Sequence, residues 1–207
     1  MLAAHIGREP LLPGAQVLDL CTGSGLLAIT AALDGPEGTR VTAVDVSRRA
    51  LMTVRVNARL NGARVMTVRS DLFEALGEQR FDLIVSNPPY VPGPRTRPRR
   101  GAARAWEGGE DGRLLLDRVC AEGAARLAPH GSLLLVQSSV CGEQATLDLL
   151  DRHGLRARVV ERKEGPLGPL LSARAGQLEA TGLLAPGERR EQVLVIKGSR
   201  VEPATTS

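Results

Sequence analysis

Asn87-Pro88-Pro89-Tyr90 is a stretch suited to gripping an amino nitrogen. It follows Phe81-Asp82-Leu83-Ile84-Val85-Ser86, which reads as a buried strand. Each proline lacks an N–H and fixes its own φ, and Pro88 also biases Asn87 toward an extended backbone. A sheet ladder must stop here and leave its carbonyls facing outward. The Asn87 side-chain oxygen and the Pro88 carbonyl can then accept two hydrogen bonds from one planar –NH₂ group. Tyr90 offers a flat apolar face beside them. That arrangement suits a substrate whose reacting atom is an amide or exocyclic amine nitrogen. The bland alternative is a strand exit that binds nothing.

A second constellation lies upstream. Val17-Leu18-Asp19-Leu20-Cys21-Thr22-Gly23-Ser24-Gly25-Leu26 runs from a strand into a helix, and Gly23 and Gly25 permit a tight turn with close approach of a ligand. Asp45 closes the next strand, where a carboxylate can hold both hydroxyls of an adenosine ribose. Gly23-x-Gly25-x-x-Ala28 also fits a dinucleotide fingerprint, and a lone glycine pattern is weak evidence. Asp19 tips the balance. A carboxylate beside the turn repels a pyrophosphate, whereas it helps hold the cationic methionyl ammonium of S-adenosylmethionine. Asp71-Leu72 follows the third strand, where Asp71 can accept from an adenine amino group and Leu72 can pack on the ring. A helix N-cap at Asp71 is the equal alternative.

The elements that must position these residues alternate between strand and helix. Strands are expected at 16–20, 40–46, 64–70, 81–86, 131–138, 156–161 and 192–197. Helices are expected from Ser24 to Leu33, after an N-cap at Ser47 to about Gly62, from Asp111 to Leu127 and from Gly142 to His153. Residues 165–190 have room for a short helix around 170–180. With no full helix between them, the last two strands can pair antiparallel. The expected fold is therefore α/β and Rossmann-like, in its class I methyltransferase variant. It has a seven-stranded, mostly parallel sheet with the last strand antiparallel and helices on both faces. One domain over 1–200 is expected, with a short N-terminal lead-in at 1–15, a substrate loop at 91–109 and a frayed tail at 201–207.

Bulk properties narrow the class. A chain of 207 residues, 43% hydrophobic, builds one substantial core and is not disordered. Aromatics are only 2%, so an aromatic in a loop, such as Tyr90 or Trp106, is less often incidental. The net charge of +4 and pI near 9.5 come from arginine and permit an acidic or nucleic-acid partner without demanding one. Three scattered cysteines and three scattered histidines make neither a disulfide framework nor a metal knuckle, so no metal site is expected. No apolar run reaches membrane-spanning length and no signal peptide is visible, which makes a soluble cytoplasmic protein the default.

Taken together, Asp19 to Gly25, Asp45, Ser70-Asp71 and Asn87 to Tyr90 resemble the HemK/PrmC-type release-factor glutamine methyltransferases, in a single-domain form. Trp106-Glu-Gly-Gly-Glu-Asp-Gly-Arg113 resembles that family's glycine-rich stretch before the next helix. The likeness covers roughly 16–140. It implies methyl transfer from S-adenosylmethionine to the side-chain amide of a glutamine in the Gly-Gly-Gln loop of a translation release factor. Cys21, Thr22, Gly23, Ser24, Gly25, Asp45, Leu72 and Asn87 would line the cofactor site, and Asn87, Pro88, Pro89 and Tyr90 would hold the glutamine. The Asn-Pro-Pro-Tyr motif is shared with enzymes that methylate DNA and RNA amines, so an adenine N-methyltransferase is one alternative and a small-molecule N-methyltransferase another.

Two departures stand out. Cys21 occupies the first glycine position of many methyltransferase turns, which a small side chain tolerates if φ is negative. The bacterial enzymes of the family carry a helical recognition domain before the first strand, where this sequence has the short lead-in. Single-domain relatives can depend on a small zinc-binding activator subunit, so a partner chain is conceivable. After the motif, Pro92 to Arg104 carries Arg95, Arg97, Arg99, Arg100 and Arg104, a candidate substrate-ordering flap or a solvated loop. Glu107, Glu110 and Asp111 are expected to cap the following helix, and Trp106 to pack the flap down.

Overall fold

A computed structural model of the chain describes residues 1–93 and 102–200. Arg95, Arg97, Arg99 and Arg100 of the expected flap, and the tail 201–207, lie outside the described residues. Seven strands form one sheet: β1 (Gln16–Leu20), β2 (Arg40–Asp45), β3 (Val65–Arg69), β4 (Phe81–Ser86), β5 (Leu127–Ser138), β6 (Leu155–Pro166) and β7 (Arg190–Arg200). The helices are α1 (Leu2–Ile6), α2 (Leu26–Asp34), α3 (Arg48–Leu60), α4 (Leu116–Arg126), α5 (Glu143–Arg152), α6 (Pro169–Ala173) and α7 (Ala175–Ala180). The strand order is β3-β2-β1-β4-β5-β7-β6. Strands β1 to β5 run parallel, and β7 lies antiparallel between β5 and β6, as the missing crossover helix led one to expect.

The sheet is apolar on both faces because strand neighbours alternate sides. Val17, Val41, Leu83, Val85 and Leu134 pack against Leu2 and Ile6 of α1, Ala28 and Ala31 of α2, and Val54 of α3. Leu18, Leu20, Ile84, Leu133 and Leu135 pack on the other side against Leu116, Val119 and Ala124 of α4 and Leu150 of α5. A satellite cluster of Val140, Leu167, Leu171, Ala175, Leu178 and Leu184 gathers α6 and α7 at the C-terminal end of the parallel strands.

Local signals explain most boundaries. Ser47 caps α3, its hydroxyl accepting from Ala50 N at 3.3 Å. The short lead-in is tied to the sheet. Leu2 and Ile6 are buried, and Lys197 on β7 grips the Glu9 carboxylate with both oxygens at 2.7 Å. The expected helix from Asp111 starts only at Leu116, because Gly112 holds φ +77 and the preceding chain is bound to the segment after β4. Where one short helix was expected near 170–180, two occur, broken at Arg174.

Candidate active site

The strand order reverses at β1 and β4, and in open α/β sheets ligands bind outside the carboxyl ends of the strands at such a switch point. The sequence-predicted residues at the ends of β1, β2, β3 and β4 lie there. Leu20 and Ser86 are register partners, and the buried Ser86 hydroxyl donates to Leu20 O at 3.0 Å. The glycine turn leaving β1 and the Asn87 exit from β4 therefore start side by side. Asp45 ends β2, and Ser70 N donates to Asp45 O at 3.3 Å, which brings Asp71-Leu72 next in the row.

Asp19 is fully buried in β1 and faces α2. Gly25, at the N-cap of α2, has no side chain to cap the helix. Asp19 does so instead: its Oδ2 accepts from Ala28 N at 3.0 Å and from the Thr22 hydroxyl at 2.6 Å. Oδ1 is buried without a partner. Burial pushes the Asp19 carboxyl up from 3.8 to about 7, against the Thr22 and Ala28 hydrogen bonds that lower it, and the nearby Asp45 adds to the rise. Among the described residues that oxygen is an uncompensated acceptor.

The turn itself is backbone laid open. Thr22 N donates to Val44 O at 3.0 Å and Gly25 N to Thr22 O at 2.9 Å. At Gly23, φ +54, an added Cβ would meet nothing nearer than Cys21 O at 4.0 Å, so its Cα face is open. At Gly25, φ +85, an added Cβ would strike Val54 at 2.9 Å, so the turn sits tight on α3. Ser24 is exposed, its carbonyl accepting from Asn57 of α3 at 2.9 Å. Cys21 has φ +56. The condition of a negative φ is not met: this cysteine adopts the conformation that glycine would hold without strain.

Asp45 accepts from Gly23 N at 3.1 Å through Oδ2 and from Ser47 N at 2.8 Å through Oδ1. Half-buried, it joins the turn to α3 and keeps unused lone pairs. Asp71 is not a helix cap, since a turn follows it. Its Oδ1 takes a hydrogen bond from Arg118 of α4 at 2.9 Å, while the neighbouring Ser70 hydroxyl accepts from Ala75 N. Leu72, at φ +48, is 4% exposed and packs with Leu20 and Val44 in the core. Among the described residues only Cys21, Leu72 and His130 are non-glycines at positive φ, and two of these three border this row.

Asn87 is exposed, and its side chain makes no hydrogen bond to any described residue. Pro88 and Pro89 are buried, and Tyr90 is half-buried with its ring against the clusters on both faces of the sheet. Burial pushes the Tyr90 phenol up to about 12, helped by Glu191 and Cys141, so it remains a donor and is no base. The Cys141 thiol, likewise pushed up to about 12 by burial, donates to Tyr90 O at 3.0 Å.

The stretch 106–113 belongs to this exit, which motif spacing alone did not reveal. Val91 N donates to Trp106 O at 2.8 Å, Gly108 N to Val91 O at 2.9 Å, and Gly93 N to Gly109 O at 2.7 Å. A Cβ at Gly108 would meet Pro89 O at 2.8 Å, and one at Gly112 would meet Tyr90 O at 2.2 Å. Those glycines let two backbones touch. Glu107 caps no helix. It is buried at 6% and takes a hydrogen bond from Arg174 at 2.7 Å, while the same guanidinium donates to Pro92 O at 2.5 Å. Arg113 donates to Cys141 O at 2.6 Å and to Asp117 at 2.6 Å, so it fixes the far end of the stretch. A cleft of about 370 Å³ beside α7, lined by Val140, Glu164, Leu184, Glu188 and Glu191 among others, holds none of the residues predicted from sequence.

Residues 1–103 match the family described as methyltransferase small domain. A ribosomal protein uL3 glutamine methyltransferase of Bradyrhizobium diazoefficiens is 42% identical over 130 residues, 58% of this chain and 39% of that protein. A release factor glutamine methyltransferase of Bordetella pertussis is 40% identical over 147 residues, 68% of this chain and 54% of its own length. A putative protein N5-glutamine methyltransferase of Methanocaldococcus jannaschii is 32% identical over 164 residues, 79% of this chain and 82% of that protein. The chain thus spans about half or less of two of these relatives and most of the third. Among solved structures, the E. cuniculi Mtq2–Trm112 complex, responsible for methylation of the eRF1 translation termination factor, superposes with TM-score 0.62 at 24% identity. That match covers 97% of this chain and 93% of that one. At that identity the likeness is one of fold: the seven-stranded class I methyltransferase sheet.

Proposed function

The chain belongs to the HemK/PrmC-type glutamine methyltransferase family, and from that premise we propose that it moves a methyl group from S-adenosylmethionine to the side-chain amide nitrogen of a glutamine in a protein of translation. The substrate we favour is the Gly-Gly-Gln loop of a release factor. Ribosomal protein uL3 is the second reading, favoured by the name of the 42% identical relative. Either would place the protein in the cytoplasm. Among the described residues no helix is long and apolar enough to cross a membrane. A small activator subunit belongs to the same proposal, and the Mtq2 structure is likewise a two-protein complex, with Trm112.

The observation that carries the reading is the pairing of an exposed Asn87 with the open Gly23 turn across one hydrogen bond, Ser86 to Leu20. Bound between them, S-adenosylmethionine supplies an electrophilic methyl group. The chain's own part is to position. Asp19 would balance the charge of the cofactor's ammonium, and the remaining Asp45 lone pairs would take ribose hydroxyls. Asp71 and Leu72 would flank the adenine, and Cys21 to Gly25 would lie along the methionine portion. The Asn87 side-chain oxygen and the Pro88 carbonyl accept from the substrate –NH₂, and Tyr90 walls it. An amide lone pair is delocalised and weakly nucleophilic. Two acceptors on the –NH₂ favour a pyramidal nitrogen whose lone pair points at the methyl group. The nitrogen gains a methyl and gives one proton to solvent. With the Tyr90 phenol held protonated, positioning rather than a strong side-chain base does the work.

The test is incubation with radiolabelled S-adenosylmethionine and recombinant release factor or uL3, followed by peptide mass spectrometry. Methylation of a glutamine side chain is expected. Label on neither protein, or label removed by nuclease rather than protease, refutes the reading.

A further inference from the structure

We propose that Arg118 of α4 is a positioning residue for the cofactor's base: it ties down Asp71 so that one carboxylate oxygen is kept for an exocyclic amino group. The proposal rests on the methyl-transfer reading and adds to it the residue that makes the site choose adenine over a 6-oxopurine.

Asp71 leaves β3 on a backbone held from both sides. Ser70 N donates to Asp45 O at 3.3 Å, Ala75 N to the Ser70 hydroxyl at 2.9 Å and Glu74 N to Asp71 O at 3.2 Å. Leu72 turns at φ +48 with its side chain in the core. The Asp71 side chain is held as well, since Arg118 Nη1 donates to its Oδ1 at 2.9 Å. Arg118 is fixed in turn by Glu122, one turn further along α4, whose Oε1 accepts from Arg118 Nε at 2.8 Å. The guanidinium is planar, so contacts at Nε and at Nη1 together set its direction. Oδ2 of Asp71 accepts from no described residue.

Docking of α4 does not need this chain of contacts. Leu116, Val119, Cys120 and Ala124 already bury the helix. Asp71 and Arg118 keep 39% and 37% of their side chains exposed, and an ion pair that open to water adds little to stability. Its larger effect is on which oxygen the carboxylate offers. An untethered aspartate samples several rotamers and presents either oxygen. Tethered through Oδ1, it meets a ligand with Oδ2. A carboxylate oxygen only accepts, so it takes a hydrogen bond from the 6-amino group of adenine and repels the 6-oxo group of hypoxanthine. Arg118, the neighbouring donor that an oxo group would favour, is engaged by Asp71 and Glu122.

The test is calorimetric titration of the full chain with S-adenosylhomocysteine and with S-inosylhomocysteine, in which an oxo group replaces that amino group. The wild-type chain is expected to prefer the adenine compound roughly tenfold or more, the scale of one hydrogen bond to a charged acceptor. Asp71→Ala should erase the preference. Arg118→Met keeps the length of the side chain and removes its donors. It should cut the preference roughly threefold or more, by weakening the adenine compound alone. Arg118→Lys should recover part of it. Neither Arg118 variant should shift the melting temperature, because the pair is half-exposed. A residue that merely held α4 in place would weaken both compounds by one factor. That result, a preference unchanged in Arg118→Met, or a wild-type chain with no preference overturns the proposal and leaves the methyl-transfer reading standing. Failure of the wild-type chain to bind S-adenosylhomocysteine overturns both.

Discussion

Asp19 should make both stability and cofactor affinity depend on pH, in opposite senses. Its carboxyl sits at about 7 in the fold against 3.8 unfolded, because burial disfavours the charge. Below pH 3.8 both states hold the proton and the group costs nothing. Between 3.8 and 7 the unfolded chain has released the proton and the folded one keeps it, so stability falls by about 1.4 kcal/mol per pH unit. Above 7 both are ionised and the loss levels off at about 4 kcal/mol, a large share of a typical domain's stability. Asp19→Asn should flatten that slope between pH 5 and 7 in urea titrations. Cofactor binding should run the other way. A cation on Oδ1 selects the ionised carboxylate, so affinity should rise about tenfold per pH unit from 5 toward 7. Close to one proton should be released at pH 6. Calorimetry in two buffers of different ionisation enthalpy counts that proton. A cofactor affinity that is flat from pH 5 to 7, or an Asp19→Asn variant with the wild-type slope, would refute the reasoning.

Other outcomes follow from single contacts. Asn87→Ala should nearly abolish methyl transfer and leave the melting curve intact, since the side chain is exposed; wild-type turnover would remove Asn87 from the mechanism. Gly112→Ala places a Cβ 2.2 Å from Tyr90 O at φ +77 and should cost roughly 3 kcal/mol or more in denaturant titration, with activity lost. Arg174→Leu strands the buried Glu107 and should cost about 2–3 kcal/mol, and adding Glu107→Leu should restore part of it.

The backbone plan was legible because its signals are local. Alternating apolar runs, the Ser47 cap and the prolines after Ser86 each act within a few residues, and the antiparallel close could be read from a missing crossover helix. The row formed by Asp19, the glycine turn, Asp45, Asp71 and Asn87 was legible because parallel strands deliver their ends to one edge. What could not be read was long-range pairing. Glu107 lies near a helix start in sequence, which suggests capping, yet its partner Arg174 is 67 residues away. Ser86, Gly112 and Arg113 serve contacts across the sheet that no spacing announces. The sign of φ at Cys21 was equally hidden, since it is imposed by the turn between Leu20 and Gly25 rather than by the residue's own preference.

The placement of β7 has a consequence in time. It is the last strand along the chain, yet it sits between β5 and β6, pairing with both over most of their length. Until it arrives, β6 has no neighbour and the long, apolar β5 shows an open edge. A nascent chain synthesised as far as Glu188 would therefore carry the whole Asn87 row and still present the unpaired β6 and the open edge of β5 to its surroundings. The slow step of folding is expected to be the late insertion of this strand, a contact between sequence-distant parts of the chain. The segment most in need of protection from aggregation during synthesis is then β5 rather than any part of the active site.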